Sequence, residues 1–318
     1  MQAYVLRRLL ALIPTLFLAS AIVFVTVRLI PGDIIDLMLS QNDLSATKLS
    51  REQLGQALGL DRPVWEQYLR WIGGILLHGD FGRSLWQSTP VSEQLLSRLP
   101  VTFELGVMAL LIALVVAIPI GVYSAIRQDT LGDYIARSFS ILMLAVPSFW
   151  IATMVMVFPS IWWGWSPELK FVPFHESPWQ SLKQMALPAL ILGTSLSAVT
   201  MRLTRTMMLE VLRQDYIRTA WAKGLSERLV VFRHALRNAL IPVITFVGLQ
   251  APLVIGGAVI IEQIFVIPGM GLLLLDAVNQ RDYPIITGVF LVVGVSITLI
   301  NLLVDLSYGV LDPRVKYR

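Results

Sequence analysis

Few residues in this chain could carry out covalent chemistry. Histidine occurs only at His78, His175 and His234, and none is spaced with a second for metal binding; His234 is read as structural. Cysteine is absent, so no thiolate nucleophile, thiolate metal ligand or disulfide is available. No lysine follows a glycine, so the phosphate-cradling Walker A loop is missing and any ATP must be bound by another chain. Neither His-Glu-x-x-His nor Gly-x-Ser-x-Gly occurs, and Gly269-Met270-Gly271 lacks the third glycine and the preceding strand of a dinucleotide site. Enzyme activity, a metal site and a cofactor are therefore not expected of this chain. What remains is charge. Eight basic residues lie between residues 202 and 237 against Glu210, Asp215 and Glu227, and Glu104, Glu262 and Asp305 stand at the ends of long apolar stretches. Carboxylates so placed can be functional, and a basic loop can meet a partner or anionic lipid.

The elements that must position these charges are membrane helices. Of 318 residues 56% are hydrophobic and 14% charged, and the mean hydropathy is +0.70. A soluble domain carries about 25% charged residues, so this chain could not cover a globular surface in water. A spanning helix needs about 20 largely apolar residues. Six stretches longer than 17 residues contain no Asp, Glu, Lys or Arg: 9–27, 105–126, 138–167, 184–201, 238–261 and 283–304. The third is long enough for a helix plus part of a loop, which Pro159 and Gly164 end. The next longest, 263–275, is short and holds Pro268, Gly269 and Gly271, and reads as a re-entrant or interfacial segment or as a short outer helix and turn.

An even count puts both termini on one side. With the termini inside, segments 1–8, 127–137, 202–237 and 305–318 carry 2, 2, 8 and 3 basic residues. The short outer segments 168–183 and 262–282 carry 2 and 1, and the long first loop, with 7, weighs little in the positive-inside rule. Both termini are therefore expected in the cytoplasm. Arg7 and Arg8 before an apolar run and the Ala19-Ser20-Ala21 tripeptide resemble a signal peptide, but the run continues to Val27, too long for an ordinary one. The net charge of +4 reads as inside-loop Lys and Arg, since no basic run interleaved with aromatics points to nucleic acid.

Between the spans, two segments are long enough to have structure of their own. The first outer loop contains a helical stretch from Ser50 to Leu58, a break at Gly59-Leu60-Asp61-Arg62-Pro63, and a second helix over Val64–Leu77. Trp65, Tyr68, Leu69, Trp71 and Ile72 give that helix an aromatic face suited to the membrane interface or to packing on other helices. Gly79 to Ser84 reads as a turn. On the inside, Arg213 to Lys223 reads as a helix, Gly224 ends it in the left-handed conformation, and Ser226 caps a second helix. The apolar face of that second helix is Leu225, Leu229, Phe232, Leu236 and Leu240, and Pro242 sits at the mouth of the fifth span.

The run Asp215-Tyr216-Ile217-Arg218-Thr219-Ala220-Trp221-Ala222-Lys223-Gly224-Leu225, followed by His234-Ala235-Leu236-Arg237-Asn238-Ala239-Leu240-Ile241-Pro242, resembles the cytoplasmic EAA motif of ABC importer permeases. Within them it is similar to the dipeptide, oligopeptide and nickel branch. Pro31-Gly32-Asp33, Leu58-Gly59-Leu60-Asp61, Gly79-Asp80-Phe81-Gly82-Arg83-Ser84, Arg98-Leu99-Pro100-Val101-Thr102, Glu262 to Gly271 and Leu311-Asp312-Pro313-Arg314 resemble the same branch. The resemblance implies an all-α membrane protein of the type I importer fold with six spans. Residues 1–30 would be the first span, 31–100 a periplasmic loop region, and 101–318 the permease core with its EAA loop at about 208–242.

It also implies a place in the bacterial inner membrane, among lipid, and a set of partners. These are a second homologous permease subunit, one or two ATPase subunits that bind ATP and Mg, and a periplasmic or lipid-anchored substrate-binding protein. The implied cargo is a di- or oligopeptide; nickel, glutathione and oligosaccharides are the alternatives inside the family. The residues implied in ATPase coupling are Asp215, Arg218, Thr219, Ala220, Ala222, Lys223, Gly224 and Leu225. The triplet reads Arg-Thr-Ala in place of Glu-Ala-Ala, and Trp221 stands where an arginine is expected, facing either the ATPase or the permease's own helices. Glu262, if it faces an outer cavity, could hold a peptide's amino terminus. An ion-coupled carrier is the rival class; it would require inverted repeats and acidic residues within the spans, and the six apolar stretches contain neither feature clearly.

Overall fold

The computed structural model describes residues 2–29, 61–167 and 170–311, with side chains described throughout except at 2–9, 253, 255–257 and 305–311. In chain order the helices are α1 (Gln2–Arg28), α2 (Val64–His78), α3 (Val91–Ile126), α4 (Leu131–Ala145) and α5 (Ser148–Trp163). Then come α6 (Pro178–Leu212), α7 (Asp215–Ala222), α8 (Glu227–Leu229), a π-helical turn (Val230–Ala235), α9 (Leu236–Ile264), α10 (Met270–Gln280) and α11 (Tyr283–Leu311). Among the described residues the only extended pairing is an isolated bridge between Arg83 and Pro90.

Five helical segments are long and apolar enough to cross a membrane: Leu10–Arg28, Val91–Ile126, Pro178–Leu212, Glu227–Pro252 and Tyr283–Val304. The third apolar stretch, where Pro159 lies inside a helix and does not end one, differs from the helix plus part of a loop expected of it. It is a bent pair, α4 and α5, whose axes meet at 88°. The break lies at Val146-Pro147, where Val146 is extended (φ −93°, ψ 119°). The ring of a proline disfavours the helical conformation in the residue before it, so Pro147 both ends α4 and starts α5. Gly164, in the left-handed region, closes α5. Counted as one broken span, the pair brings the total to six.

Other boundaries also move. α3 begins at Val91, inside the stretch assigned to the outer loop, so Arg98 to Thr102 are helical. The Ser50–Leu58 helix lies outside the described residues. Within 263–275 the chain makes a turn and then α10, whose 11 residues reach about 16 Å at 1.5 Å per residue, too short to cross.

The chain divides into two compact units, one formed chiefly by Val101–Gly271 and the other by Leu6–Pro100 and Leu272–Thr298. The core of the larger unit is built from small and branched side chains: Leu105 and Ala109 of α3, Ala152 of α5, Met185 and Ala189 of α6, and Ala258 and Ile261 of α9. Small residues let helix backbones approach closely, which in lipid supplies the packing that water would otherwise drive. One such approach is at Gly193, where a Cβ would lie 2.7 Å from the Ala109 carbonyl oxygen and 2.9 Å from Ile112 Cβ.

In the smaller unit α2 lies on α1 through its aromatic residues. Tyr68 and Trp71 pack on Phe24 with ring centroids 5.3 Å away in both cases, and Tyr68 Oη shares a 2.9 Å hydrogen bond with Ser20 Oγ. The face read from sequence is thus divided: Tyr68 is buried, Trp71 and Ile72 are half-buried, and Trp65 and Leu69 are exposed. Gly79 and Asp80 return their N–H groups to Ile75 and Gly74 to end α2. Beyond the turn, the buried carboxylate of Asp282 accepts from Ser84 Oγ at 2.5 Å and Leu85 N at 3.1 Å. Burial pushes that carboxyl above its ordinary value, against the opposing pull of these hydrogen bonds.

Candidate coupling site

The apolar periodicity of α7 is short but decisive. Ile217 and Ala220, three residues apart, lie on one face of the helix and are buried. They sit in a seat formed by Val122 and Ala125 of α3, Met208 of α6, and Val230, Val231 and Ala235 of the π turn. Every other residue of α7 is exposed: Asp215, Tyr216, Arg218, Thr219, Trp221 and Ala222, followed by exposed Lys223 and Gly224. Leu225 is half-buried, and its N–H reaches back to the Ala220 carbonyl at 3.4 Å. Of the eight residues singled out from sequence, Ala220 and Leu225 therefore hold the element down. Asp215, Arg218, Thr219, Ala222, Lys223 and Gly224 face outward. Trp221 is 45% exposed, partly turned outward and partly covered by this chain. The Arg218–Asp215 pair spans 3.4 Å with both side chains largely in solvent, and such a pair contributes little stability. Both charges can be exchanged for a partner's.

Gly224 ends the element. Its φ is +77°, its N–H donates to the Trp221 carbonyl at 2.9 Å, and a Cβ there would meet no heavy atom within 4 Å. Glycine is needed for the backbone conformation and not for space. Ser226 does stand at the next N-cap, but its hydroxyl makes no capping bond; its carbonyl accepts from Val230 N at 3.0 Å.

Beyond Gly224 the chain departs from the separate second helix expected of this loop. That helix is continuous with the fifth span, because α8, the π turn and α9 run on without a break from Glu227 to Ile264. The π turn widens the repeat by one residue and shifts the buried face. Buried positions are Val230, Val231, Ala235, Ala239 and Val243. Of the expected face, Leu225, Leu229, Leu236 and Leu240 are only half-buried and Phe232 is 61% exposed. Pro242 lies inside α9 and not at its mouth. Asn238 Nδ2 donates to Tyr216 Oη at 2.8 Å and to the His234 carbonyl at 3.1 Å, which ties α7 to α9.

A buried ion pair that sequence reasoning did not find braces the helices behind this seat. Asp133, in the first turn of α4, is fully buried. Arg205 of α6 donates to it through both arms of its fork, Nε to Oδ1 at 3.0 Å and Nη2 to Oδ2 at 2.8 Å. Ser124 of α3 hydrogen bonds the same carboxylate, Arg205 Nε reaches Ser124 Oγ at 3.0 Å, and the Asp129 N–H adds a 3.1 Å bond. Three helices are thus fastened at one carboxylate. Ser124 lies between Val122 and Ala125, which line the α7 seat, so the brace and the seat share one turn of α3.

Glu262 is not placed as the sequence suggests. It is fully buried, not directed at an outer cavity. Oε1 accepts from Thr102 Oγ1 at 2.6 Å and Oε2 from Gly271 N at 2.8 Å, while Thr102 Oγ1 accepts from Met270 N at 2.8 Å. A side chain at Gly269 would collide with the carboxylate. The physical reason is the first turn of α10, where the Met270 and Gly271 N–H groups have no partner inside the helix and are met by Thr102 and by the Glu262 carboxylate. Glu104 is likewise engaged, accepting from Ser181 Oγ at 2.6 Å. No group of three His, Cys, Asp or Glu among the described residues could hold a metal ion.

Residues 117–317 match the family model "Binding-protein-dependent transport system inner membrane component", and residues 1–106 match its N-terminal companion, "Binding-prot-dependent transport system membrane comp, N-term". The chain belongs to this family. The permease is 39% identical over 341 residues to the "Dipeptide transport system permease protein DppB" of Escherichia coli (strain K12), covering all of both chains. It is 41% identical over 320 residues to the "Oligopeptide transport system permease protein AppB" of Bacillus subtilis (strain 168), again over all of both chains. Among solved structures, "Crystal structure of an amino acid ABC transporter with histidines" superposes with a TM-score of 0.51 at 12% identity. That match covers 69% of this chain and 94% of the other and shows the shared permease fold. This permease is therefore a multi-pass, non-catalytic membrane component, and its family implies an ATPase and a substrate-binding protein as partners.

Proposed function

We propose that this permease forms half of the channel of an ATP-driven importer that carries di- and oligopeptides across the bacterial inner membrane. The observation that carries the reading is α7: a short helix anchored by only two buried side chains, with its polar and charged residues turned outward. Full-length similarity to relatives named for dipeptide and oligopeptide transport supports the cargo. In this reading α7 and both termini are cytoplasmic. Asp215, Arg218, Thr219, Ala222, Lys223 and Gly224 meet a cleft of an ATPase subunit, while Ala220 and Leu225 hold the element in place. One or two ATPase subunits bind ATP and Mg, a second permease completes the pathway, and a periplasmic or lipid-anchored protein delivers the peptide.

The mechanism follows from the packing. When the ATPase subunits close on ATP they displace α7. Because α7 is wedged against α3, α6 and the π turn, it passes the displacement to those helices as a rigid body. The permease then has two packed arrangements, and ATP and loaded binding protein each favour one of them by binding it more tightly.

The test is uptake by vesicles containing the permease, its partner permease and the ATPases, with binding protein supplied. Labelled dipeptide is expected to accumulate only when binding protein and ATP are both present. Accumulation driven by an ion gradient without ATP would overturn the reading. ATP-dependent uptake of nickel or glutathione, with none of peptide, would overturn the cargo alone.

A further inference from the structure

The smaller unit contains a cavity of about 130 Å³ with an unusual balance of groups, lined by Phe24 and Arg28 of α1, Trp71 of α2, Phe81, and Tyr283 and Pro284 of α11. The walls are largely aromatic, and Arg28 and Trp71 present N–H donors among them. Arg28 lies with its guanidinium 3.4 Å from the Phe24 ring centroid, spends Nε on Gln67 Oε1 at 2.9 Å and Nη1 on the Phe24 carbonyl at 3.2 Å. No carboxylate among the described residues pairs with it, and its Nη2 makes no hydrogen bond there. Trp71 Nε1 is buried and has no acceptor among the described residues. A buried N–H without an acceptor is destabilising, and a guanidinium among aromatic rings needs a counter-charge. The cavity therefore calls for an anionic acceptor with an apolar flank.

Its location says which anion. Arg28 is the last residue of the Leu10–Arg28 span, at the depth where the hydrocarbon gives way to headgroups. On α2, Trp65, Leu69, Leu76 and Leu77 are 66%, 54%, 76% and 78% exposed, as are Leu18 (62%) and Ile22 (57%) on α1. Apolar surface of that extent beside a cationic pocket matches acyl chains beside a headgroup. We propose that this cavity binds the phosphodiester of a phospholipid, with Arg28 Nη2 and Trp71 Nε1 as donors and the aromatic walls against the glycerol backbone. A free carboxylate or phosphate ion shares the acceptor chemistry but has no use for the apolar flank. The inference is independent of the permease's cargo.

The test uses the purified transporter, stripped of lipid in detergent and titrated with dihexanoyl phosphatidylglycerol, inorganic phosphate or acetate under native mass spectrometry. Arg28→Gln removes the charge. Trp71→Phe keeps an aromatic wall but removes the Nε1–H together with the rest of the pyrrole ring, so the unfolding midpoint of each variant is measured beside its affinity to separate lost packing on Phe24 from lost binding. The lipid is expected to bind more tightly than either ion. Its Kd is expected to rise about tenfold in Arg28→Gln and about threefold in Trp71→Phe, as for loss of a charged and a neutral hydrogen bond. Unchanged lipid affinity in Trp71→Phe and Arg28→Gln would overturn the proposal. So would tighter binding of phosphate or acetate than of lipid, which would make this a site for a free ion.

Discussion

Replacing Arg205 with methionine is expected to destabilise the permease by about 3–5 kcal/mol, because it strands a buried carboxylate without its counter-charge. Asp133 is fully buried, and among the described residues no other cation comes closer to it than Arg137 Nη1 at 4.0 Å, on a side chain 46% exposed. The companion variant decides the cause. Adding Asp133→Asn to Arg205→Met removes the stranded charge while the amide oxygen accepts from the Asp129 N–H and the amide nitrogen donates to Ser124 Oγ, and is expected to restore more than half of the loss. Thermal unfolding of the four members of this cycle in detergent measures both effects. If Arg205→Met alone unfolded at the parent's temperature, the brace would hold nothing. In the proposed mechanism the brace bears on transport, since it joins α3, α4 and α6 at the turn of α3 that also seats α7. A push on α7 is then felt by three helices together.

Gly224→Pro is expected to lower ATP-dependent uptake at least tenfold while ATP hydrolysis by the associated ATPase persists. Proline fixes φ near −65° and has no N–H, whereas Gly224 stands at +77° and donates to the Trp221 carbonyl. The end of α7 must therefore refold, and the outward residues Lys223, Ala222 and Trp221 leave their positions. Asparagine tolerates the left-handed region, so Gly224→Asn is expected to retain most of the uptake. Because a Cβ at this position meets nothing, any loss in Gly224→Asn would come from the contact surface and not from packing. Near-normal uptake by Gly224→Pro would mean that the geometry of α7 does not transmit the ATPase's work.

The spans could be read because the membrane imposes a single rule on them: charges leave, and the six charge-free stretches each fall largely within a helix or a bent pair. The short helix before Gly224 could be read because Gly224 and the Asp215–Lys223 run are local. What the sequence hid depends on context. The kink at Pro147 lies inside an uninterrupted apolar stretch, and a charge count does not register it. The π turn at Val230–Ala235 has no residue signature, yet it shifts the buried face of a whole helix and leaves Phe232 outside. Asp133 and Arg205 are 72 residues apart, and no spacing rule pairs them before the helices are packed. Glu262 was visible as a carboxylate near a glycine-rich turn. That it is consumed by Thr102 and Gly271 follows from the need of the first α10 N–H groups for an acceptor, which only the fold displays.

The central claim is that the outward face of α7 meets the ATPase. The chain contains no cysteine, so a single Arg218→Cys variant carries the one thiol of this subunit and can be purified, labelled and reassembled with its partners. Labelled there with a photoactivatable reagent and reassembled in membranes that hold the whole transporter, it is expected to cross-link to an ATP-binding subunit, in a yield that changes when ATP is added. A Trp65→Cys variant labelled in the same way is expected to give no such product. Cross-links from position 218 only to lipid or to the partner permease, or a yield equal to that from position 65, would contradict the account.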